Sequence, residues 1–185
     1  MEANTLHTHA VAGQAHEGAS LPWSPRNGYV EDEATARIDR YLSDSKALAL
    51  HRRRLPGIRR DVSHLVVGPA GVTVVDSHGY VTSPIKFDWG DLRGSARRRS
   101  KRLKAVLSQV EAVRELLADT PYAKVPIEAA IVQRKVTGAR VLQGLNTPRI
   151  IVCGPRTIAN EASRKGPLSA TRVRALAAYL NSALD

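Results

Sequence analysis

The chain of 185 residues is long enough for one domain with a buried core, and its 43% hydrophobic content is too high for a disordered protein. Aromatic residues make up only 4%, which excludes base stacking on many aromatic rings as the main binding device. Lys and Arg number 28 against 17 Asp and Glu, so the net charge is +11 and favours a polyanionic partner, nucleic acid or an anionic membrane surface.

Arginine accounts for 21 of the basic residues and lysine for 7. This bias suits bidentate phosphate contacts, although a GC-rich genome produces the same bias. The single cysteine, Cys153, lies in the apolar run "RIIVCG", so we expect it to be buried; one cysteine excludes a disulfide within the chain and a thiolate metal site. Residues 1–28 are rich in Ala, Gly, His, Ser and Pro without periodicity, which predicts a flexible tail before a domain at 29–185.

The N-terminus lacks the pattern of a secretory signal, and no apolar run approaches the roughly 18 residues of a membrane span, so we expect a soluble cytoplasmic protein without a membrane partner. In chain order, the first predicted element is a helix from Glu31 to about Ala47. Its apolar stripe contains Ala34, Ile38, Tyr41 and Leu42. Residues 51–60, "HRRRLPGIRR", read as a basic connection. A hairpin follows at 61–80, and 83–89 is predicted to be a short third strand.

The second half of the sequence predicts a long helix, two strands and a closing helix. The helix spans 95 to about 118, and its buried stripe consists of Leu103, Val106, Leu107, Val110, Val113 and Leu117. The strands are expected within 124–133 and 149–154. A helix begins at about Ser169, and its inner face consists of Val173, Leu176, Ala177, Leu180 and Leu184. This order predicts an α/β domain with a central mixed sheet flanked by helices.

The hairpin at 61–80 collects polar residues at its open end. If Gly68–Gly71 forms the turn, side-chain alternation places one set of cross-strand pairs on one face: Val67 with Val72, Leu65 with Val74, Ser63 with Asp76, and Asp61 with His78. Close carboxylates suit Mg²⁺, and Glu31 or Asp32 on the first helix would supply a further oxygen ligand. The alternative is an ordinary polar strand end in which Asp61 and His78 form a cross-strand pair.

Residues 50–80, "LHRRRLPGIRRDVSHLVVGPAGVTVVDSHGY", resemble the core of the NERD (nuclease-related) domain of the PD-(D/E)XK nuclease superfamily. The shared features are the Arg-rich Leu-Pro-Gly segment, the residues that open the first strand, the Val-Gly-Pro-x-Gly-Val hairpin and the acid that closes the second strand. The helix "LSQVEAVRELL" resembles the helix of the family that carries a Gln, and the similarity extends over roughly 31–184. The resemblance implies a restriction-endonuclease-like core and hydrolysis of phosphodiesters with Mg²⁺ or Mn²⁺.

Carried over to this sequence, the resemblance assigns the acid of the Asp-x-Lys motif to Asp76, the helix Gln to Gln109 and the family's His to His64. The predicted register places His64 on the other face of the hairpin, so we expect it to be a structural residue. The helix acid falls on Asp32 by alignment and on Glu31 by periodicity. The chain departs from the family at two positions, Ser63 for Asp and His78 for Lys. Asp61 as a metal ligand, His78 as a base or metal ligand, and Lys86 on the next strand would compensate. The alternative is a nuclease-derived module without catalysis.

Two basic segments predict binding to DNA, in preference to RNA, through phosphates and without sequence specificity. The segment 93–104 holds seven basic residues, and no acid occurs between Asp91 and Glu111, so this charge is not balanced locally. The candidate contacts are Arg52, Arg53, Arg54, Arg59, Arg60, Arg97, Arg98, Lys101 and Arg102. Neither segment carries a base-reading motif, and the basic helix lacks the Trp or Phe face of a membrane-binding helix.

Overall fold

A computed structural model describes residues 29–77, 96–134, 136, 139–142 and 149–184. The described elements are α1 (Tyr29–Leu42), β1 (Leu48–Arg53), β2 (Val62–Gly68), β3 (Gly71–Asp76), α2 (Ala96–Leu117), β4 (Ile127–Val132), β5 (Arg140–Leu142), β6 (Ile150–Cys153), α3 (Pro155–Ala162) and α4 (Ala170–Ala183). The tail predicted at 1–28 and the strand predicted at 83–89 lie outside the described residues.

The strands form one mixed sheet in the order β1-β2-β3-β4-β6-β5. Strands β1, β2 and β3 are an antiparallel meander, β4 and β6 continue parallel to β3, and β5 closes the edge antiparallel to β6. Helices pack on both faces of this sheet. The prediction of an α/β domain with a mixed sheet flanked by helices is therefore confirmed.

Each face of the sheet has its own hydrophobic core. The first core joins α2 and α4 to one face, with Val72, Val74 and Ile131 among its strand residues. The second joins α1 and α3 to the other face, with Val66 and Val75 among its strand residues. Because helices cover both faces of the sheet, β2 and β3 are buried along their whole length. Their sequences accordingly carry apolar residues at both odd and even positions.

The β2–β3 turn packs against backbone on both sides, and this requires glycine at its two ends. A Cβ on Gly68 would lie 2.2 Å from the carbonyl oxygen of Ala162, and a Cβ on Gly71, whose φ is +130°, would lie 2.2 Å from the carbonyl oxygen of Pro126. The turn fixes the register, which pairs Leu65 with Val74 and Val67 with Val72 as predicted.

The segment before the hairpin differs from the prediction. Helix α1 ends at Leu42 instead of near Ala47, because a turn follows in which Ser43 Oγ donates to the carbonyl of Arg40. Tyr41, predicted in the apolar stripe, is exposed. The connection predicted at 51–60 contains the end of a strand: Leu48–Arg53 pairs with β2 as β1, and only the residues after Arg53 form the loop. Arginines at an edge strand had masked its alternation.

The remaining helices and strands agree with the prediction, with two additions. Strands β4 and β6 and helices α2 and α4 lie within the predicted ranges, and Ser169 caps α4 by accepting a hydrogen bond from the backbone of Arg172. The short strand β5 and the eight-residue helix α3 were not predicted. Within the part of the chain that the structure describes, no helix combines the length and the apolar character that crossing a membrane requires.

Candidate nucleic-acid interface at the carboxyl end of the sheet

The sheet topology gathers most of the predicted site residues at one end. Strands β1, β3, β4 and β6 run in one direction and β2 runs against them. The last residues of β1, β3, β4 and β6 and the first residue of β2 therefore lie at the same end, which we name the carboxyl end of the sheet. The β1–β2 loop, residues 54–61, lies at this end of the sheet.

Asp76 closes β3 on the face that α2 covers. It is in register with Ile131 of β4, and its side chain is only 10% exposed. Arg102 of α2, 19% exposed, donates from Nε to the Asp76 carboxylate. The negative charge of the predicted motif acid is thus balanced by a guanidinium from the basic helix.

Ser63 holds the backbone immediately after Asp76. The β2–β3 register, extended by one pair, places Ser63 opposite Asp76 as predicted, and both are buried. The Ser63 hydroxyl accepts a hydrogen bond of 3.1 Å from the backbone N–H of Ser77. This hydrogen bond joins the start of β2 to the end of β3.

A chain of polar side chains lies on the opposite face, beneath α1. His51 Nε2 lies 2.9 Å from Asp39 Oδ1, His51 Nδ1 lies 2.8 Å from His64 Nδ1, and His64 Nε2 lies 2.9 Å from Ser77 Oγ. His64 thus faces away from Asp76, as the register predicts. Asp39, His51 and Ser77 were not predicted as site residues. The contact between the two histidines follows from the pairing of β1 with β2, which the sequence analysis did not include.

The arginines predicted to bind nucleic acid in the β1–β2 region differ in their exposure and contacts. Arg53 is half-buried and donates to the Asn181 side chain and to the carbonyl of His51, so it is engaged within the fold. Arg54, Arg59 and Arg60 are exposed, and no ion pair joins them to the residues that the structure describes. Arg54 and Arg59 line an open pocket together with Leu55, Pro56, Gly57, Ile58 and Ala183. Arg52 is half-buried, with a φ of +51°.

The other predicted residues are placed only in part. Gln109 is buried on α2, while Asp61 is exposed just before β2. Glu31 and Asp32 belong to the first turns of α1, which packs on the face opposite Asp76. The following residue, Glu33, reaches Arg134 after β4 at 3.6 Å, so this part of α1 lies near the carboxyl end. The side chains of Glu31, Asp32, Arg97, Arg98 and Lys101, and all of His78 and Lys86, are outside the described part.

Gln133 adds a polar group that the sequence did not single out. It follows β4 two residues after Ile131, the register partner of Asp76, and is 2% exposed. Both its side-chain nitrogen and its side-chain oxygen are buried without a hydrogen-bond partner among the residues that the structure describes. No sequence signal distinguishes this Gln from an ordinary polar residue at the end of a strand.

The described side chains alone do not make up a site for Mg²⁺ or Mn²⁺. Such an ion needs several oxygen ligands, yet the Asp76 carboxylate is bound by Arg102 and Asp61 is exposed. Among the residues that the structure describes, no three His, Cys, Asp or Glu side chains are grouped to hold a metal. The described geometry at this end combines exposed arginines with an Asp76 carboxylate that is paired with Arg102.

The chain was compared with protein-family models, with curated proteins and with solved structures, and none of these comparisons found a match. The interpretation of the site therefore depends on its own geometry.

Proposed function

We propose that this protein is a nuclease-related DNA-binding protein of the NERD type, with a restriction-endonuclease-like core, that binds DNA through its phosphates without reading base sequence. One observation carries this proposal. Three exposed arginines without ion-pair partners in the described part, Arg54, Arg59 and Arg60, lie at the same end of the sheet as the basic helix residue Arg102.

Electrostatics explains why this arrangement suits DNA. The chain carries a net charge of +11, and exposed guanidiniums that lack acidic partners gain most from binding phosphates, because each phosphate that they neutralise releases condensed counterions from the DNA. Some exposed arginines elsewhere are paired, as in Arg37 with Glu33 and Arg114 with Glu111. Arg40, Arg156 and Arg174 are exposed without an ion pair among the described residues, but they lie on three different helices. The grouping of three such arginines in one loop supports residues 54–60 as the main phosphate-binding segment.

Hydrolysis of phosphodiesters with Mg²⁺ or Mn²⁺ is the second candidate function. It is favoured by Asp76 and Gln109, which match the family pattern. Asp76 lies on the sheet face that α2 covers, and Gln109 is buried on α2. The incomplete set of described ligands and the Arg102 contact place it behind DNA binding alone.

The experiment combines binding and cleavage on the full-length protein. Fluorescence anisotropy with two duplexes of unrelated sequence, over a series of salt concentrations, should give equal affinities that fall steeply with salt. Supercoiled plasmid is incubated in parallel with Mg²⁺ or Mn²⁺, with Asp76→Ala protein and with EDTA.

Binding without cleavage, undiminished in Asp76→Ala, supports the first candidate. Nicking that requires both metal and Asp76 supports the second. Absence of binding to either duplex at low salt rejects both candidates, and a strong preference for one duplex rejects binding without sequence specificity.

A further inference from the structure

The open pocket at the β1–β2 loop combines an aliphatic side with a basic side. Its aliphatic lining consists of Leu55, Pro56 and Ile58 from the loop and Ala183 from the end of α4. The charged residues that line it are Arg54 and Arg59. Its volume is about 500 Å³, within the range of roughly 300–1,000 Å³ that is typical of sites for small organic groups. This composition suits a group that carries an anion and an apolar surface together.

A tight turn gives the pocket its shape. The backbone N–H of Ile58 donates to the carbonyl of Leu55 at 3.1 Å, and Pro56 and Gly57 occupy the two central positions, Gly57 with a φ of +71°. Proline followed by glycine with a positive φ is the pattern of a type II turn. Leu55 is 1% exposed and Ile58 packs against the same core, so both ends of the turn are anchored. The pocket is therefore formed before a ligand arrives, and little ordering cost opposes binding.

Arg53 adds a third positive charge beside the pocket. It precedes Arg54 and donates to the side chain of Asn181, two residues before Ala183, so it joins β1 to the part of α4 that lines the pocket. Among the residues that the structure describes, no carboxylate pairs with its guanidinium, and its buried Nε atom has no hydrogen-bond partner. Arg54 and Arg59 also lack ion pairs within the described part. Three guanidiniums without described counter-ions thus lie next to aliphatic surface.

We propose that the pocket holds an unpaired nucleotide, so that this protein prefers DNA with a single-stranded segment to fully paired DNA. The inference deepens the proposed function and rests on it. An unpaired nucleotide offers its phosphate to the guanidiniums and the faces of its sugar and base to the aliphatic lining. In a duplex the bases are paired and stacked inside, so the phosphates would reach the arginines while the aliphatic side stayed uncovered.

The lining also determines how the base is held. No aromatic residue lines the pocket, so the ring stacking that many single-strand-binding proteins use does not operate there. The base is held instead by burial against aliphatic side chains and by contact with the guanidinium planes of the arginines. Every base offers such a face, so the preference concerns the unpaired state and not the base sequence.

The preference is measured with full-length protein and labelled DNA of matched phosphate number. Fluorescence anisotropy at one salt concentration compares a blunt hairpin duplex, a hairpin duplex with a short oligothymidylate overhang, and the same overhang with abasic sites in place of its bases. We expect the overhang to raise the affinity about threefold or more, because the base is buried against the aliphatic side. The abasic overhang should lose most of that gain.

Ala183→Leu tests the pocket without a change of charge. The larger side chain fills part of the aliphatic side, and Ala183 is exposed at the last residue of α4, so we expect the fold to tolerate it. The ratio of the overhang affinity to the blunt affinity should fall towards one. Ala175→Leu makes the same change at an exposed residue of α4 outside the pocket lining, and should leave the ratio as in the wild type.

The possible outcomes separate this inference from DNA binding itself. Equal affinity for the blunt and overhang duplexes, an abasic overhang bound as tightly as the intact one, or a ratio that Ala183→Leu leaves unchanged would each overturn the inference alone. Polyglutamate that displaces the labelled overhang duplex as effectively as unlabelled overhang DNA would assign the pocket to acidic peptides instead. Absence of binding to every DNA probe would reject the proposed function and this inference together.

Discussion

Arg102 donates to the carboxylate of Asp76, so a side chain from the first half of α2 is bound to the last residue of a central strand. Both groups are largely removed from solvent, with side-chain exposures of 19% and 10%. Removing either partner leaves the other charge largely buried without this ion pair, which costs more than the pair contributes.

This relationship predicts strong coupling in a double-mutant cycle. Arg102→Gln should lower the free energy of unfolding by about 1–3 kcal/mol, because the Asp76 carboxylate remains nearly buried without the guanidinium. Asp76→Asn in the same background should restore part of that loss. Urea unfolding of the four proteins measures the interaction. Strictly additive losses would show that the two side chains do not interact in solution.

The loop at 54–60 predicts a change in DNA affinity that depends on position as well as charge. A triple variant with Arg54, Arg59 and Arg60 replaced by Gln should bind DNA more weakly, and the slope of log affinity against log salt should decrease by about 0.9 for each phosphate that is no longer neutralised. The matched control replaces Lys124, Lys165 and Arg174, which are exposed and lack described ion pairs.

The control removes the same charge at a distance from the carboxyl end. Lys124 precedes β4, and Lys165 adjoins Gly166, which packs against the β2–β3 turn at the opposite end of the sheet. Anisotropy titrations at several salt concentrations should therefore show a much smaller effect for it. Equal decreases in affinity for the two triple variants would mean that net charge, and not this surface, determines binding.

Cys153 should be inert in the folded protein. Burial raises the pKa of its thiol to about 12, and the negative charge of Glu161 acts in the same direction. Because the thiolate is the reactive form, a disulfide reagent at pH 8 should modify Cys153 only after unfolding. Rapid modification without denaturant would contradict its burial on the α1 and α3 face.

The same thiol makes stability depend on pH above neutrality. A folded-state pKa raised above the ordinary value of 9.0 means that the unfolded chain loses its proton first, so stability is present below pH 9 and is lost as pH rises from 9 towards 12. The loss approaches about 1.4 kcal/mol per pH unit in that range. Urea unfolding at pH 8 and pH 10 should show a larger decrease for the wild type than for Cys153→Ala. Parallel decreases would exclude this titration.

Gln133 predicts a stabilising substitution. Its amide is buried, and neither polar atom has a hydrogen-bond partner in the described part of the chain, so the amide bears a desolvation cost without the hydrogen bonds that would offset it. Gln133→Leu should raise the free energy of unfolding by about 1–2 kcal/mol. If this variant is more stable yet binds DNA more weakly, the amide serves the interface. A loss of stability would show that the amide is satisfied in solution.

Local patterns were sufficient for much of this fold. Alternation around Gly68–Gly71 predicted the β2–β3 register, because turn length alone decides which residues share a face. The apolar spacing of α4 predicted its inner face, and Val173, Leu176 and Leu180 are buried. These features depend on neighbours within a few residues, which a sequence displays directly.

The site depended on relationships that a linear pattern does not display. The basic run at 52–54 concealed the end of β1, and without β1 the contact between His51 and His64 could not be foreseen. Arg102 was assigned to DNA by its charge, although the fold directs it to Asp76. A surface guanidinium and an internal counter-ion look alike in sequence, since only the packing of α2 distinguishes them.

The mixed sheet also has a consequence for the order in which the protein assembles. Val67 and its partner Val72 are five positions apart, whereas Val72 and Ile127, paired across β3 and β4, are 55 positions apart. Closing the longer loop costs about 2 kcal/mol more in chain entropy, so the meander of β1, β2 and β3 can form while β4 is still unpaired. We therefore expect the part of the sheet that ends at Asp76 to form early and the docking of α2 and β4 to enclose Asp76 afterwards.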